Sequence, residues 1–534
     1  MSNLIITGFM GTGKTVVGRM LARRMGLRFV DCDELIERRA GTTISEIFRR
    51  QGEPAFRAME RKIVREVTEQ SGQVIATGGG AVKDPRNVRR LRGSGTMICL
   101  HARPEVIWRR LKHMKDRPLL RVADQRKRIE ELLAERARFY AKADLAADTS
   151  DFTPAQVVRR IQEALQTVRV ELGERSYDIR IGAGLLGTVG PALAAIARPN
   201  RAAIVTHPEI DHLYGDALRR SLAEAGIPCC TVGVPPGERS KSFAQARRLH
   251  GLLLEAGLDR GSAVLALGGG VIGDLAGFVA ATFMRGIDYV QLPTTLLAQV
   301  DASVGGKVAV NHPRGKNLVG CFYQPRIVIA DLDTLSSLPR RHLRNGLAEV
   351  VKTAIIADEA LFDYLERWGE QVARLEPLSV SHVVRRCCQI KANVVAADER
   401  EAGLRAILNF GHTFGHALEA ARGYRMLHGQ AVSVGMAAAA RLSVRMGLLR
   451  QEEADRIERL LHVIGLPVRM RRSDAGALLR YMAADKKARA GRLRFVLAKG
   501  LGGAVVRDDV PGKVLSEVLT SLTNGPASLA GRPG

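Results

Sequence analysis

Residues Gly8-Phe9-Met10-Gly11-Thr12-Gly13-Lys14-Thr15 spell a phosphate-binding loop, and few strings this short restrict a fold so strongly. The apolar run Leu4-Ile5-Ile6 precedes it, and a helical pattern of Val16, Val17, Met20, Leu21 and Ala22 follows it. Such a loop works only between a strand and a helix, because its backbone N–H groups must converge on phosphate at the positive end of that helix. The loop predicts binding of a nucleoside triphosphate. Gly11, Thr12 and Gly13 would cradle the phosphates, Lys14 would reach the β and γ groups, and Thr15 would hold Mg²⁺.

At 534 residues the chain exceeds a single core, since domains average ~150 residues. Up to residue 166 it alternates strand and helix signals. Strands are expected at Leu4–Thr7, Leu27–Asp31, Gln73–Thr77, Thr96–Ala102 and Asp144–Ala147, with a last helix at Ala155–Leu165. This alternation implies a parallel sheet covered by helices on both faces. At Val168–Arg180 two alternating runs flank Gly173, which predicts a hairpin and a boundary. The α/β alternation resumes to about residue 325. From Pro339 to the Ala484 region the pattern is almost wholly helical, and Arg492–Ala498 forms one late strand. The expected fold class is therefore α/β: a P-loop parallel-sheet domain (1–166), an α/β part (168–325), a mostly helical part (326–520) and a disordered tail (521–534).

The net charge is +26, yet no RNA-binding signature or aromatic stacking platform accompanies it. Basic sites for phosphorylated and carboxylated small molecules account for it better than nucleic acid. Aromatics are 4% of the chain, so the cores should be aliphatic. No apolar run has transmembrane length, and a strand already begins within the first ten residues, which argues against a signal peptide and against a membrane partner. Seven cysteines without CxxC spacing suggest reduced thiols and a cytoplasmic protein.

Several residues beyond the loop suit phosphoryl transfer to a small acid. Asp31-Cys32-Asp33 follows a strand, Arg57 lies in Glu53-Pro54-Ala55-Phe56-Arg57, Gly78-Gly79-Gly80 ends another strand, and Arg117-Pro118-Leu119-Leu120 and Arg136 lie downstream. Aspartates can place an acceptor hydroxyl and Mg²⁺, arginines can fork onto a carboxylate, and glycines let the backbone approach a small substrate. In this order the set resembles shikimate kinase over residues 3 to about 165. The resemblance implies that Lys14 and Thr15 serve ATP and Mg²⁺, and that Asp33 holds the shikimate hydroxyls and takes a proton. It also implies that Arg57 and Arg136 bind the carboxylate, that Gly78, Gly79 and Gly80 contact the ring, that Arg117 sits on a lid, and that Arg110 covers the adenine.

The second half carries a different chemistry. Leu265-Ala266-Leu267-Gly268-Gly269-Gly270-Val271-Ile272-Gly273-Asp274 reads as a buried strand running through glycines into a helix, a dinucleotide signal. Asn409-Phe410-Gly411-His412-Thr413-Phe414-Gly415-His416 puts two histidines at i and i+4, and His428 and Glu349 complete a possible ligand set. Three protein ligands with an open position suit catalytic zinc. Spacing alone nominates His412 and His416 as the metal pair. Arg285, Asp301, Lys307, Lys316-Asn317, Lys352, Lys391 and Arg405 suggest a pocket for phosphate and carboxylate.

These strings resemble 3-dehydroquinate synthase from about 168 to 510. The resemblance implies Zn²⁺ or Co²⁺ on Glu349, His412 and His428, with His416 contacting phosphate or moving a proton. It implies NAD⁺ at Glu238, Lys241, Gly269, Gly270, Asp274, Thr294 and Thr295, with Lys307 and Lys316. Substrate would meet Asp301, Lys307, Asn317, Lys352, Lys391, Arg405, Asn409 and Lys486, with Arg285 reaching in from a neighbouring subunit of a homodimer. His207 stands where the family usually carries an acidic ribose partner. The expected protein is thus a fusion. One half makes shikimate 3-phosphate. The other converts 3-deoxy-D-arabino-heptulosonate 7-phosphate to 3-dehydroquinate and phosphate. The rivals for the second half are another sugar-phosphate cyclase or a metal-dependent polyol dehydrogenase. A basic P-loop nucleic-acid protein is the non-enzyme rival.

Overall fold

The computed structural model describes residues 2–112, 122, 124–423, 425–469, 476, 478–482 and 493–523. The chain divides into two compact units, Met1–Gln166 and Thr167–Gly534.

The first unit is built on a parallel sheet. Its strands are β1 (Asn3–Gly8), β2 (Arg28–Asp31), β3 (Gln73–Ala76), β4 (Gly95–His101) and β5 (Leu145–Asp148). They are ordered β2-β3-β1-β4-β5 among the described residues, every pair parallel. Each strand expected from the sequence has its counterpart within a residue or two. β1 is apolar on both faces because both are covered. Leu4 and Ile6 pack with Val17, Leu21, Val158 and Ile161, while Ile5 packs with Val64, Leu91 and Met97. β1 lies inside the sheet, so its carboxyl end opens beside the ends of β2 and β3, where parallel sheets bind ligands.

The second unit starts with the hairpin of β6 (Thr167–Val170) and β7 (Tyr177–Gly182), antiparallel with Val168 opposite Ile179. Then come β8 (Ala202–Thr206), β9 (Cys229–Gly233), β10 (Ala263–Gly268), β11 (Asp288–Pro293) and, after a separate antiparallel hairpin of β12 (Lys307–His312) and β13 (Gly315–Phe322), β14 (Ile327–Asp331). The sheet order is β6-β7-β14-β11-β10-β8-β9, parallel apart from the β6–β7 pair. Aliphatic clusters cover both of its faces.

A helical layer follows. It contains Arg340–Ala357, Glu359–Ala373, Pro377–Ala397, His412–Ala421, His428–Arg445 and Gln451–Val463, packed in one large cluster. Two expectations need correction. The late strand is not single: β15 (Phe495–Ala498) pairs antiparallel with β16 (Ala504–Arg507). Gly500, Gly502 and Gly503 make the turn, and the short Ala504-Val505-Val506-Arg507 run was too weak a signal by itself. Residues 521–523 are not tail. They end the helix Gly512–Thr523, whose Leu519 and Leu522 are buried. The remainder of the expected tail lies outside the described residues.

Candidate active sites

In the first unit, the loop after β1 turns into the helix Lys14–Met25 through Gly13 at φ 89. Lys14 Nζ donates to the carbonyls of Gly8 and Phe9, each at 3.0 Å, so the lysine folds back over its own loop. The Thr15 hydroxyl donates to Asp31 Oδ2 at 2.8 Å. Asp31 ends β2 and caps the helix Cys32–Ala40, accepting from the amides of Asp33 and Glu34. Its carboxylate is therefore fixed where a cation beside Thr15 would need one.

Asp33 occupies the first turn of that helix. Its Oδ1 comes within 2.8 Å of the point where a Cβ on Gly78 would stand. Helix Ile44–Thr68 breaks at Gly52 (φ 77) and resumes through Pro54. The break sets Arg57 and Glu60 into the same cavity. Arg57 pairs with Glu53 at 3.0 Å and Glu60 at 2.8 Å. A side chain at Gly80 would stand 2.5 Å from an Arg57 guanidinium nitrogen, so any residue larger than glycine there would displace the guanidinium from its present place. Burial pushes the Glu60 carboxyl up against the pull of Arg57. Arg136 is buried, donates to the Gly79 carbonyl at 3.3 Å and lies 5.4 Å from the Phe9 ring. Tyr140 donates its hydroxyl proton to the same carbonyl at 2.7 Å. Arg110 donates to the carbonyls of Gly11 (3.1 Å) and Thr149 (2.6 Å).

A cavity of about 380 Å³ is lined by Gly11, Gly13, Lys14, Thr15, Asp31, Asp33, Arg57, Gly78, Gly79, Gly80, Arg110 and Arg136, with Phe48, Phe56 and Glu60. Thr12 is buried under the loop, bonded to the Phe9 carbonyl at 2.7 Å. Arg117 lies outside the described residues. Glu60 and Tyr140 went unforeseen. Glu60 sits three residues after Arg57, a helical pairing distance that could have flagged it. Tyr140 had no sequence signal.

In the second unit, β10 runs into Gly269, which caps the helix Gly270–Thr282. Thr295 closes over it, 3.1 Å from where a Cβ on Gly269 would stand, and Gly270 faces Ala302. Thr294 bonds the Gly268 carbonyl through its amide (3.0 Å), and its buried hydroxyl has no hydrogen-bond partner. Lys241 is buried and bonds both Asp274 and Asn317. Burial raises the Asp274 carboxyl, and Lys241 opposes it. Glu238 accepts from Asn311 at 2.8 Å. His207 follows β8 and sets Nδ1 2.8 Å from the Val234 carbonyl, so its ring is anchored to main chain.

The metal-ligand candidates come from three helices. Glu349 is fully buried in Arg340–Ala357, His412 opens His412–Ala421, and His428 opens His428–Arg445. The last two helices touch closely: a Cβ on Gly435 would stand 3.0 Å from the Gly415 amide. Asn345 accepts from the Gly429 amide at 2.5 Å and so ties the first helix to the start of the third. Nε2 of His412 and His428 lie 3.8 and 3.4 Å from Glu349 Oε1. The ligand atoms of this trio lie within 4.8 Å of one another. His412 Nδ1 is 3.1 Å from the Phe410 carbonyl, which fixes the proton there and leaves Nε2 bare.

Both Glu349 oxygens are buried without a hydrogen-bond partner, although Lys352 forms an ion pair with one. A buried carboxylate facing the Nε2 atoms of two imidazoles fits a divalent cation. Burial works to raise the Glu349 carboxyl, but Lys352 and the two histidines hold it well below its usual range. Burial, then Lys352, pushes His412 down to about 3, which keeps it a neutral ligand. Among the described residues His412 and His416 fall in no common ligand trio; His416 is exposed and lies with Glu419 and His428 instead.

Around this trio stand the basic residues. Lys391 bonds both the carboxylate and the carbonyl of Asp301. Burial opposes the charge on Asp301, yet Lys391 and Lys352 hold its carboxyl down to about 2. Lys307 and Asn409 share Glu401, and Lys316 lies 3.8 Å from Glu419. Arg405 is buried and donates to the Gly305 carbonyl at 3.1 Å, supporting the loop before Lys307. Arg285 is exposed at φ 68, directly after Met284 at φ 49, a strained pair. Lys486 lies outside the described residues. Glu401 and Glu419 were not foreseen. Glu401 carries no motif, while Glu419 falls on the same helix as the histidines.

The geometry can be set beside known proteins. The shikimate kinase family model matches residues 10–166, the 3-dehydroquinate synthase N-terminal model 231–345, and its C-terminal model 346–488. A 3-dehydroquinate synthase of Acidithiobacillus ferrooxidans is 47% identical over 359 residues, which is 67% of this chain and 98% of that protein. Two solved structures resemble the chain over 66% of its length. One is the 2-epi-5-epi-valiolone synthase ValA of Streptomyces hygroscopicus with NAD⁺ and Zn²⁺ bound, 31% identical, TM-score 0.61, with 98% of that chain covered. The other is a 2-deoxy-scyllo-inosose synthase complexed with carbaglucose-6-phosphate, NAD⁺ and Co²⁺, 27% identical, TM-score 0.60, with 99% of that chain covered. No helix among the described residues is long and apolar enough to cross a membrane. The buried Glu349–His412–His428 trio, the lysine-lined surroundings and these matches lead to one conclusion: the chain belongs to the 3-dehydroquinate synthase family and carries a shikimate kinase family domain ahead of it.

Proposed function

We propose that the protein performs two steps of aromatic amino-acid biosynthesis at two separate sites. The first unit transfers the γ-phosphoryl group of ATP to a hydroxyl of shikimate. Lys14 and the loop amides hold the phosphates, while Thr15 and Asp31 place Mg²⁺. Asp33 orients the acceptor oxygen and takes its proton. Arg57 and Arg136 fork onto the carboxylate, beneath the Gly78–Gly80 wall.

Arg57→Ala and Arg136→Ala should each raise KM for shikimate about ten- to a hundredfold with little change in KM for ATP. That is the worth of one charge-assisted contact, about 1.5–3 kcal/mol. Initial-rate kinetics varying each substrate check this, and equal effects on both would sink the carboxylate assignment.

The second unit converts 3-deoxy-D-arabino-heptulosonate 7-phosphate to 3-dehydroquinate with loss of phosphate. The observation that carries this is the buried carboxylate of Glu349, paired with Lys352 and facing the Nε2 atoms of His412 and His428, near Asp301 and Lys391. A zinc or cobalt ion held by Glu349, His412 and His428 would polarise the substrate oxygen. NAD⁺, held by Lys241, Asp274 and the Gly269–Thr295 cradle, would accept a hydride and return it within one turnover. Lys307, Lys316 and Asn317 on the β12–β13 hairpin, with Asn409, bind phosphate and carboxylate. His416, exposed beside the ligand rings, moves the proton that accompanies phosphate departure. Arg285 completes the site of a partner subunit in a cytoplasmic homodimer.

Phosphate release from the heptulosonate, assayed with and without NAD⁺, tests the reading directly. Release should depend on NAD⁺, and no free NADH should accumulate. A rising NADH absorbance in proportion to product would instead mark a polyol dehydrogenase, which has no use for so many lysines around one pocket. Another sugar-phosphate cyclase is disfavoured by the 47% identity to a 3-dehydroquinate synthase, against 31% and 27% to the two cyclases.

A further inference from the structure

The two histidines proposed as metal ligands are oriented by different partners. His412 Nδ1 faces a main-chain carbonyl, that of Phe410, at 3.1 Å. His428 Nδ1 faces a carboxylate, Glu419 Oε2, at 3.5 Å. Glu419 is 5% exposed and sits near the end of the helix that His412 begins. Its other oxygen lies 3.8 Å from Lys316 Nζ on the β12–β13 hairpin.

Burying a carboxylate is costly unless its partners use the charge. A carboxylate on the outer nitrogen of a ligand histidine fixes the tautomer, stops ring rotation and makes the inner nitrogen more basic. The His428 ring needs such a partner more than His412 does, because its side chain is 30% exposed whereas that of His412 is 11% exposed. His416, Glu419 and His428 also bring ligand atoms within 4.8 Å of one another, so Glu419 could be read as a ligand of a second cation. That reading would require His428 to bind ions through both ring nitrogens, which means giving up its remaining proton.

We propose that Glu419 is a positioning residue of the metal centre: it holds the His428 imidazole with Nδ1–H toward itself and Nε2 toward Glu349, and thereby sets the affinity for the divalent ion. The inference rests on the metal site proposed above. Its test is the affinity itself, measured on the full chain stripped with a chelator and titrated with Zn²⁺ against a chromophoric competitor. Glu419→Gln should bind Zn²⁺ about 10- to 100-fold more weakly than the parent, the usual effect of removing such a partner. Glu419→Asp, which keeps the charge but shortens the reach, should fall between them. It also stands in for the glutamine variant if that variant does not fold. The Co²⁺-loaded proteins should differ in their visible d–d spectra, because the ligand field at His428 changes.

Equal affinity in parent and variants overturns the inference while leaving the metal site in place. Two equivalents of Zn²⁺ in the parent and one in Glu419→Gln would also overturn it, showing Glu419 to be a ligand. A parent that binds no metal ion would instead overturn the reading of the trio on which the inference rests.

Discussion

Lys14→Ala is expected to abolish ATP-dependent phosphorylation of shikimate, by at least about 10²–10³-fold in kcat, the loss seen when one preorganised charge-stabilising donor is removed. The effect has two physical parts. The ammonium group supplies charge where negative charge shifts during transfer. It also donates to the Gly8 and Phe9 carbonyls and so closes the loop on itself before phosphate arrives. Dehydroquinate formation in the same preparation should stay within about twofold of the parent, because the second site uses no triphosphate. A coupled ADP assay and a phosphate-release assay on one sample measure both. Loss of both activities in a folded protein would refute two independent sites.

Removing the metal from the second unit should have a comparable effect in the opposite half. Chelation should silence dehydroquinate synthesis, and Zn²⁺ or Co²⁺ should restore it, while shikimate phosphorylation assayed afterwards with excess Mg²⁺ is unchanged. Glu349→Gln and His412→Ala should lose the bound ion and more than about 10²-fold of synthase activity. His416→Ala should retain one equivalent of metal and still lose turnover. This follows from the geometry: Glu349 and the Nε2 atoms of His412 and His428 face one another, whereas His416 is exposed and stands outside that trio. Elemental analysis of the purified variants decides the matter. Metal lost in His416→Ala and retained in His428→Ala would restore the i,i+4 pairing.

That pairing shows where a local argument stops. Helical spacing places His412 and His416 on neighbouring turns of one face, and nothing in the string itself says which atom a third ligand will approach. The third and fourth groups come from helices Arg340–Ala357 and His428–Arg445, brought in by the close Gly415–Gly435 approach and the Asn345–Gly429 hydrogen bond. Glu60, Tyr140, Glu401 and Glu419 went unnoticed for a related reason. Each acts by supporting another residue, and a supporting contact leaves no motif.

The sequence by itself determined the features that depend on neighbours along the chain. The phosphate loop, the strand–helix alternation, the β6–β7 hairpin and the glycine turn after β10 all follow from backbone geometry over a few residues. Patterning there is strong because both faces of each sheet must be apolar. Tertiary structure alone decided which carboxylate meets which histidine, that Asp31 lies beside the Thr15 hydroxyl, that Gly80 stands against the Arg57 guanidinium, and that β15 pairs with β16. Those are contacts between segments far apart in sequence. Their distances are set by helix packing and strand register, which no local string encodes.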